Sequence, residues 1–326
     1  MRTPLVLLTL LAAATLLAAC SPSPAQGDPG LPPGFLETGV PRADLSAYVY
    51  VSQGAPVVVT TSWFGDVAAI KNNPGLAALG SSVDVSSISV AVGPSLDYFG
   101  GAIALASEEQ AEAAAQLAKG QALTQAWRSG KTMGFAYGNG DWPGTLKASL
   151  QAGDVTPFAE AYTDSWVLLR MLPKLPPDHP VAAGFAKVEG PVLEQAAGRM
   201  QLNLQGVTQA LGSLNISQGA FIAYAQTSLD APERVGPDYF RQEGISVLAA
   251  MRSSYPGWML GFFLDSFAGQ AGLEKGTQVA GEEVLTKDLG DAYLMAKPIG
   301  SVLFIAVATD KAQAETLMTA VLEQQG

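Results

Sequence analysis

Short runs of β-branched and aromatic residues alternate with longer stretches of helical periodicity from residue 45 onward. In the first part of the chain this pattern predicts one strand or hairpin over 45–51 and 57–59, and strands at 85–92, 98–106 and 132–137. Helices are predicted between them at 63–79 and 108–126. The elements of this part therefore follow the order βαββαβ.

A second set of elements follows a helical middle segment, which the pattern places at 143–175. Strands are predicted at 181–188, 220–226, 245–251, 279–286, 292–297 and 302–308, with a helix at 191–211. We expect an α+β or α/β fold of two related lobes, with antiparallel or mixed sheets and helices on one face. The βαββαβ order of the first lobe is that of a ferredoxin-like sandwich, and a different six-element α+β unit is the alternative.

Two segments of the chain are nearly duplicated. Residues 103–112 return as residues 305–315 with one residue inserted, and each copy is a strand that leads into a helix. Ser107 and Gln110 fit a capping box at the first helix, and Thr309 can cap the second. In the second helix an apolar stripe is predicted to face the core, formed by Ala314, Leu317, Met318, Val321 and Leu322. The repeat indicates either two related lobes or convergence on a common strand-to-helix joint.

The segment 258–267 is apolar on all sides and follows the turn signal at Tyr255, Pro256 and Gly257. It is too short to span a bilayer, which takes about 20 residues. We therefore predict a buried helix, lying between the lobes.

The amino terminus has the three parts of an export signal: Arg2, an apolar run at 5–17, and small residues before Cys20. The sequence Leu17-Ala18-Ala19-Cys20 resembles the lipobox of bacterial lipoproteins, and Cys20 is the only cysteine of the chain. The resemblance implies that the Cys20 thiol receives a diacylglyceryl group, that residues 1–19 are removed, and that the new amino terminus is acylated. The alternatives are a cleaved, soluble secreted protein and an uncleaved anchor, for which the apolar run is short.

Residues 20–43 are rich in Pro, Gly and Ser, which predicts a lipidated tether that holds the body away from the membrane. Fully extended, such a tether reaches about 60 Å. The expected organisation is a signal peptide at 1–19, the tether at 20–43, a first lobe at 44–142, a helical connector at 143–177 and a second lobe at 178–326.

The charge balance narrows the range of partners. The chain has 18 Lys and Arg residues against 29 Asp and Glu residues, and its net charge of −11 becomes −12 when residues 1–19, with Arg2, are removed. No cluster of basic residues is present, which argues against nucleic acid and against electrostatic adhesion to anionic lipids. The expected partners are the membrane, through covalent lipid on Cys20, and another protein of the cell envelope. A small-molecule ligand is left open.

Catalytic and metal-binding motifs are absent from the sequence. His179 is the only histidine, and no Gly-x-Ser-x-Gly elbow occurs. Glycine-containing segments at 130–132 and 138–144 depart from the phosphate-binding and dinucleotide fingerprints, and the second is a turn signal. The paired carboxylates at 108–109 and 282–283 are typical of a helix start and a turn. We therefore assign no catalytic residue, no metal and no cofactor.

Three functions remain open at this point. The first is a non-catalytic binding or structural lipoprotein, extracytoplasmic and anchored to the cell membrane or the outer membrane. The second is the solute-binding lipoprotein of an importer, whose cleft would lie around Tyr255 and Trp258. The third is a lipid-anchored hydrolase that uses carboxylates. The tryptophans are scattered, which favours core packing over a sugar- or peptide-binding cleft: Trp63, Trp127, Trp142, Trp166 and Trp258.

Overall fold

The computed structural model describes residues 25–27, 29–52, 85–94, 98–119, 124–175, 179–187, 214–225, 245–290 and 292–326. The predicted strand at 57–59 and the predicted helices at 63–79 and 191–211 lie outside the described residues, as does Cys20.

Most of the described strands belong to one large antiparallel sheet. The strands are β1 Val40–Pro41, β2 Ala47–Val51, β3 Val85–Val92, β4 Phe99–Leu105, β5 Thr124–Ser129, β6 Thr132–Tyr137, β7 Val155–Thr156, β8 His179–Lys187, β9 Ile216–Ala225, β10 Ser246–Ser253, β11 Glu274–Val279, β12 Glu282–Asp288, β13 Tyr293–Ile299 and β14 Val302–Ala308. Twelve of them follow the order β11-β12-β13-β14-β10-β9-β8-β2-β3-β4-β6-β5, and β1 pairs separately with β7. Because β2 of the first predicted lobe pairs with β8 of the second, the strands of both predicted lobes share one continuous sheet.

Helices cover both faces of this sheet. They are α1 Phe35–Thr38, α2 Glu108–Lys119, α3 Trp142–Ala152, α4 Phe158–Ala161, α5 Thr163–Arg170, α6 Gly257–Ala271 and α7 Lys311–Gln325. The front face, which carries Tyr48 and Tyr50, packs against α1, α3, α4, α5 and α7. The back face, which carries Val49 and Val51, packs against α2 and α6. Alternation along each strand supplies the apolar side chains for both layers.

The α+β class and the antiparallel sheet are confirmed, while two finer features differ from the expectation. Helices lie on both faces of the sheet because its strands are apolar on both sides: in β14, Phe304 points to the front and Ile305 to the back. In the first half β2 and β3 pair directly and antiparallel. A split βαβ sandwich would instead make these two strands parallel and place another strand between them.

The nearly duplicated segments occupy different places in the fold. Ser107 Oγ accepts from the amide of Gln110 at 3.2 Å, as the capping box predicts. At the second joint Asp310, not Thr309, caps the helix, accepting from the amide of Gln313 at 2.8 Å. The predicted apolar stripe of α7 is buried. However, α2 packs on the back face and α7 on the front, so convergence on a common joint explains the similarity better than related lobes do.

Two hairpins were missed by the pattern. The helix predicted at 108–126 ends at Lys119, and the edge strand β5 follows, turning into β6 at Gly130 with φ 57°. The strand predicted at 279–286 is the hairpin of β11 and β12, with Ala280 and Gly281 at φ 49° and 83°. Both turns use the left-handed conformations that two-residue hairpin loops require.

Candidate functional site

The segment predicted as a flexible tether is part of the folded body from residue 29 onward, and we call residues 29–43 the N-terminal strap. Phe35 and Val40 of the strap are each 1% exposed. The Phe35 ring lies 6.0 Å from that of Tyr50 and 5.0 Å from that of Phe158. The expected tether at 20–43 is therefore wrong for the strap, because these apolar side chains belong to the core of the front face.

Hydrogen bonds fix the backbone of the strap to the sheet. The Tyr50 hydroxyl donates to the carbonyl of Pro33 at 2.9 Å, and the Tyr48 hydroxyl donates to the carbonyl of Gly39 at 3.3 Å. The strand β1 within the strap pairs with β7. Proline has no backbone amide hydrogen, so a proline-rich segment that docks on the body has few buried N–H groups that need an acceptor. Composition alone therefore did not distinguish this docked segment from a free linker.

The chain is held to the body even before the strap begins. The amide of Gly27 donates to the carbonyl of Arg170 at 2.7 Å, and the amide of Ala25 donates to Oε1 of Gln325 at 2.6 Å. Gln325 Nε2 returns a hydrogen bond to the carbonyl of Ala25 at 3.0 Å. Ala25 is five residues after Cys20, and five Cα steps of about 3.8 Å span at most about 19 Å.

Helix α6 exposes an aromatic surface, which contradicts the prediction of a helix buried on all sides. Trp258 and Phe262 are 58% and 65% exposed, while Leu260 and Leu264 on the opposite side are buried against the back face. The sheet covers α6 from one side only. An apolar residue on the outer side of the helix therefore has no described protein layer to pack against.

Neighbouring rings extend this surface, which we call the α6 patch and define as Tyr255, Trp258, Met259, Phe262 and Phe263. The Phe262 and Phe263 rings lie 5.9 Å apart, and the Tyr255 and Phe263 rings 5.1 Å apart. The one charged residue of the helix is Asp265, which pairs with Lys275 at 2.9 Å. Contiguous exposed apolar surface of this kind marks an interaction site more often than isolated exposed side chains do.

The described residues of the front face form a cavity and a groove. A cavity of about 220 Å³ is lined by small and hydroxyl-bearing residues, and a groove of about 740 Å³ runs along α7. Burial raises the pKa of the Tyr48 phenol, which lines the smaller cavity, well above its ordinary value. Burial therefore favours the protonated, neutral form of this phenol. None of the described residues that line the smaller cavity is charged.

One carboxylate of each pair named by the sequence forms a surface ion pair. Glu108 pairs with Arg128 at 2.8 Å, and Glu282 pairs with Lys297 at 2.9 Å. Hydrogen bonds from Gln116 and Arg128 lower the pKa of the Glu112 carboxyl. His179 is exposed at the start of β8. Within the described ranges no three His, Cys, Asp or Glu residues are grouped so as to hold a metal ion.

The glycine-containing segments and the described tryptophans also have structural roles. Residues 130–132 form the β5–β6 turn, and Gly138 and Gly140 have positive φ in the turn before α3. Trp127 is buried and Trp166 packs against the front-face core. Trp142 Nε1 donates to the carbonyl of Asp44 at 2.9 Å. Trp258 therefore stands apart from the other described tryptophans, and they do not converge on one cleft.

No described helix is both long enough and apolar enough to cross a membrane.

Comparison with known proteins identifies no family. No family model and no curated protein sequence matches the chain. Among solved structures, three crystal forms of TP0453 are similar: form I at 10% identity and a TM-score of 0.40, form III at 8% and 0.39, and form IV at 7% and 0.39. They cover 92%, 90% and 88% of this chain and at least 98% of the TP0453 chain. A likeness at this level assigns no activity.

Proposed function

We propose that this protein is an extracytoplasmic lipoprotein, anchored to the cell membrane or the outer membrane through lipid on Cys20. The anchor proposal rests on the lipobox resemblance of Leu17-Ala18-Ala19-Cys20. The fixation of Ala25 to Gln325 determines how far the body would lie from that anchor. A lipid on Cys20 would then hold a compact body within about 19 Å of its anchoring point, not at the end of a long linker.

The body serves as a non-catalytic binding or structural component of the cell envelope. This part of the proposal is supported by the occupation of Glu108 and Glu282 in surface ion pairs and by the separation of the described tryptophans. The importer alternative needs a cleft between lobes, whereas the described strands of both halves pair across β2 and β8 without a break. No cofactor enters this proposal.

The anchor is tested by Cys20→Ser in the full-length chain, with Ser23→Ala as the matched control. Because serine offers no thiol for the diacylglyceryl group, the variant should accumulate with residues 1–19 attached or leave the membrane fraction. The control should keep the membrane location and the lipid. Fractionation and the intact mass of the purified protein measure both effects. A Cys20→Ser protein that stays in the membrane with the same mass as the unaltered protein contradicts the proposal.

A further inference from the structure

We propose that the α6 patch docks on the surface of the same bilayer that carries the lipid anchor, an inference that rests on the proposed function. The patch has the composition that favours the region between lipid headgroups and acyl chains. Trp and Tyr are enriched at that depth, and Phe buries its ring in the acyl boundary. Asp265 is already paired with Lys275, so no unpaired charge of α6 would have to be buried with the patch.

The anchor side of the body and the patch lie toward the same end of the sheet. Helix α7 follows β14 and packs back on β13 and β14, so Gln325 points to the end of the sheet where β14 begins. Strand β10 pairs antiparallel with β14 and finishes at this same end, where α6 begins. Gly257 at the start of α6 lies against Gly300 in the β13–β14 turn. Ala25, which is bound to Gln325, is thus on the front face of this end, and Trp258 is on its back face.

Because the anchor lies close to the body, even a weak contact is sufficient to hold the α6 patch on the bilayer. With at most about 19 Å of chain between Cys20 and Ala25, the body stays at the bilayer surface, so patch docking is an intramolecular step. The chain is acidic and lacks a basic cluster, so apolar side chains must supply the contact, because anionic headgroups would repel the body. The favoured occupant is therefore the apolar margin of the membrane.

The test uses the intrinsic fluorescence of Trp258. The full mature lipoprotein is purified from membranes, its intact mass is recorded, and it is reconstituted into phosphatidylcholine vesicles with or without brominated acyl chains. Bromolipids should quench the tryptophan emission, and Trp258→Phe should remove most of the quenched component. The matched control Trp166→Phe should leave that component in place. Phe262→Ser should reduce the quenching of Trp258, whereas Leu36→Ser, at an exposed site on the strap, should not.

Equal bromolipid quenching in the unaltered protein and in Trp258→Phe overturns the inference. So does quenching of Trp258 by aqueous iodide that is as strong in vesicles as in a denatured sample. If Trp258 is protected from both bromolipid and iodide, and the particle mass of Phe262→Ser is half that of the unaltered protein, a second copy of the chain covers the α6 patch. This outcome also overturns the inference. An intact mass that lacks the lipid contradicts the proposed function instead. In that case brominated vesicles are added to the unlipidated protein, and quenching of Trp258 still decides whether the α6 patch binds a bilayer.

Discussion

Phe35 in the N-terminal strap and Trp258 in α6 are large aromatic side chains in opposite surroundings. Phe35 is 1% exposed and Trp258 is 58% exposed. The strap contributes few apolar residues, but Phe35 enters a site formed by Tyr50 and Phe158. Helix α6 contributes many apolar residues, and the sheet can cover only one side of this helix. The difference teaches that burial follows from how many layers surround an element, and not from its apolar content.

The strongest test of this comparison removes the Phe35 ring. Phe35→Ala should lower the free energy of unfolding by about 3–5 kcal/mol, because it leaves a cavity in the front-face core. Leu36→Ala is the adjacent control, since Leu36 is 51% exposed, and it should change stability by no more than about 0.5 kcal/mol. Urea unfolding in a nonionic detergent measures both. Equal, small effects would mean that the strap is a tether after all.

The two sides of α6 should differ in the same way. Leu260→Ala should cost about 2–5 kcal/mol, since Leu260 is fully buried against the back face. Trp258→Ala should leave the unfolding midpoint of the detergent-solubilised protein nearly unchanged despite removing a larger side chain. A large loss of stability in Trp258→Ala would show that the α6 patch is packed within the protein.

Gly34 tests the backbone path by which the strap enters the body. Its φ is 85°, and a Cβ there would collide with the Tyr50 hydroxyl that binds Pro33. Gly34→Ala should therefore destabilise the fold by about 1–3 kcal/mol. Gly144→Ala is the matched control: this glycine lies inside α3 with open space around it, so alanine should stabilise by about 0.5–1 kcal/mol. Similar effects at the two sites would contradict the docked path of the strap.

The smallest expected effect is a loss of folding stability at alkaline pH. Burial and the nearby Asp44 carboxylate raise the pKa of Tyr162 from 10.0 to about 12. Between pH 10 and 12 the unfolded chain releases this proton while the folded protein keeps it, so stability is full below pH 10 and falls as the pH rises. Tyr162→Phe should reduce the slope of that fall in unfolding midpoints measured from pH 9 to 12. The Tyr162 ring is half-buried and lies 4.1 Å from that of Phe185. An unchanged slope would show that the phenol is not held in this position.

Much of the fold was predictable because alternation and periodicity are local signals. The strand at 85–92 and the buried stripe of α7 follow directly from them. The sequence did not predict β5, because the alanine-rich α2 continues its helical pattern to Ala126, although Gly120 is a helix stop signal. The pairing of β2 with β8, which joins the two predicted lobes, depends on residues far apart in sequence, which no local pattern encodes.

The candidate site was predicted less completely. Cys20 was identified by its motif, but it lies outside the described residues. The strap was misjudged because its prolines suggest a linker, while its docking depends on Tyr48 and Tyr50, which come later in the chain. The α6 patch was misjudged because periodicity does not report whether a second layer covers a helix. The sequence signal for the strap was Phe35, a large aromatic residue for which a free linker has no use.

Hydrogen exchange of the strap amides, followed by mass spectrometry on the lipidated protein in vesicles, tests the central claim most directly. The amides of Phe35 and Thr38 donate to the carbonyls of Pro32 and Gly34. Peptides from 29–43 should therefore exchange as slowly as those that cover β2, both in the unaltered protein and in Leu36→Ala. Exchange of these peptides at the rate of an unstructured chain, beside a protected β2, would contradict a body that is bound to its own strap close to the membrane.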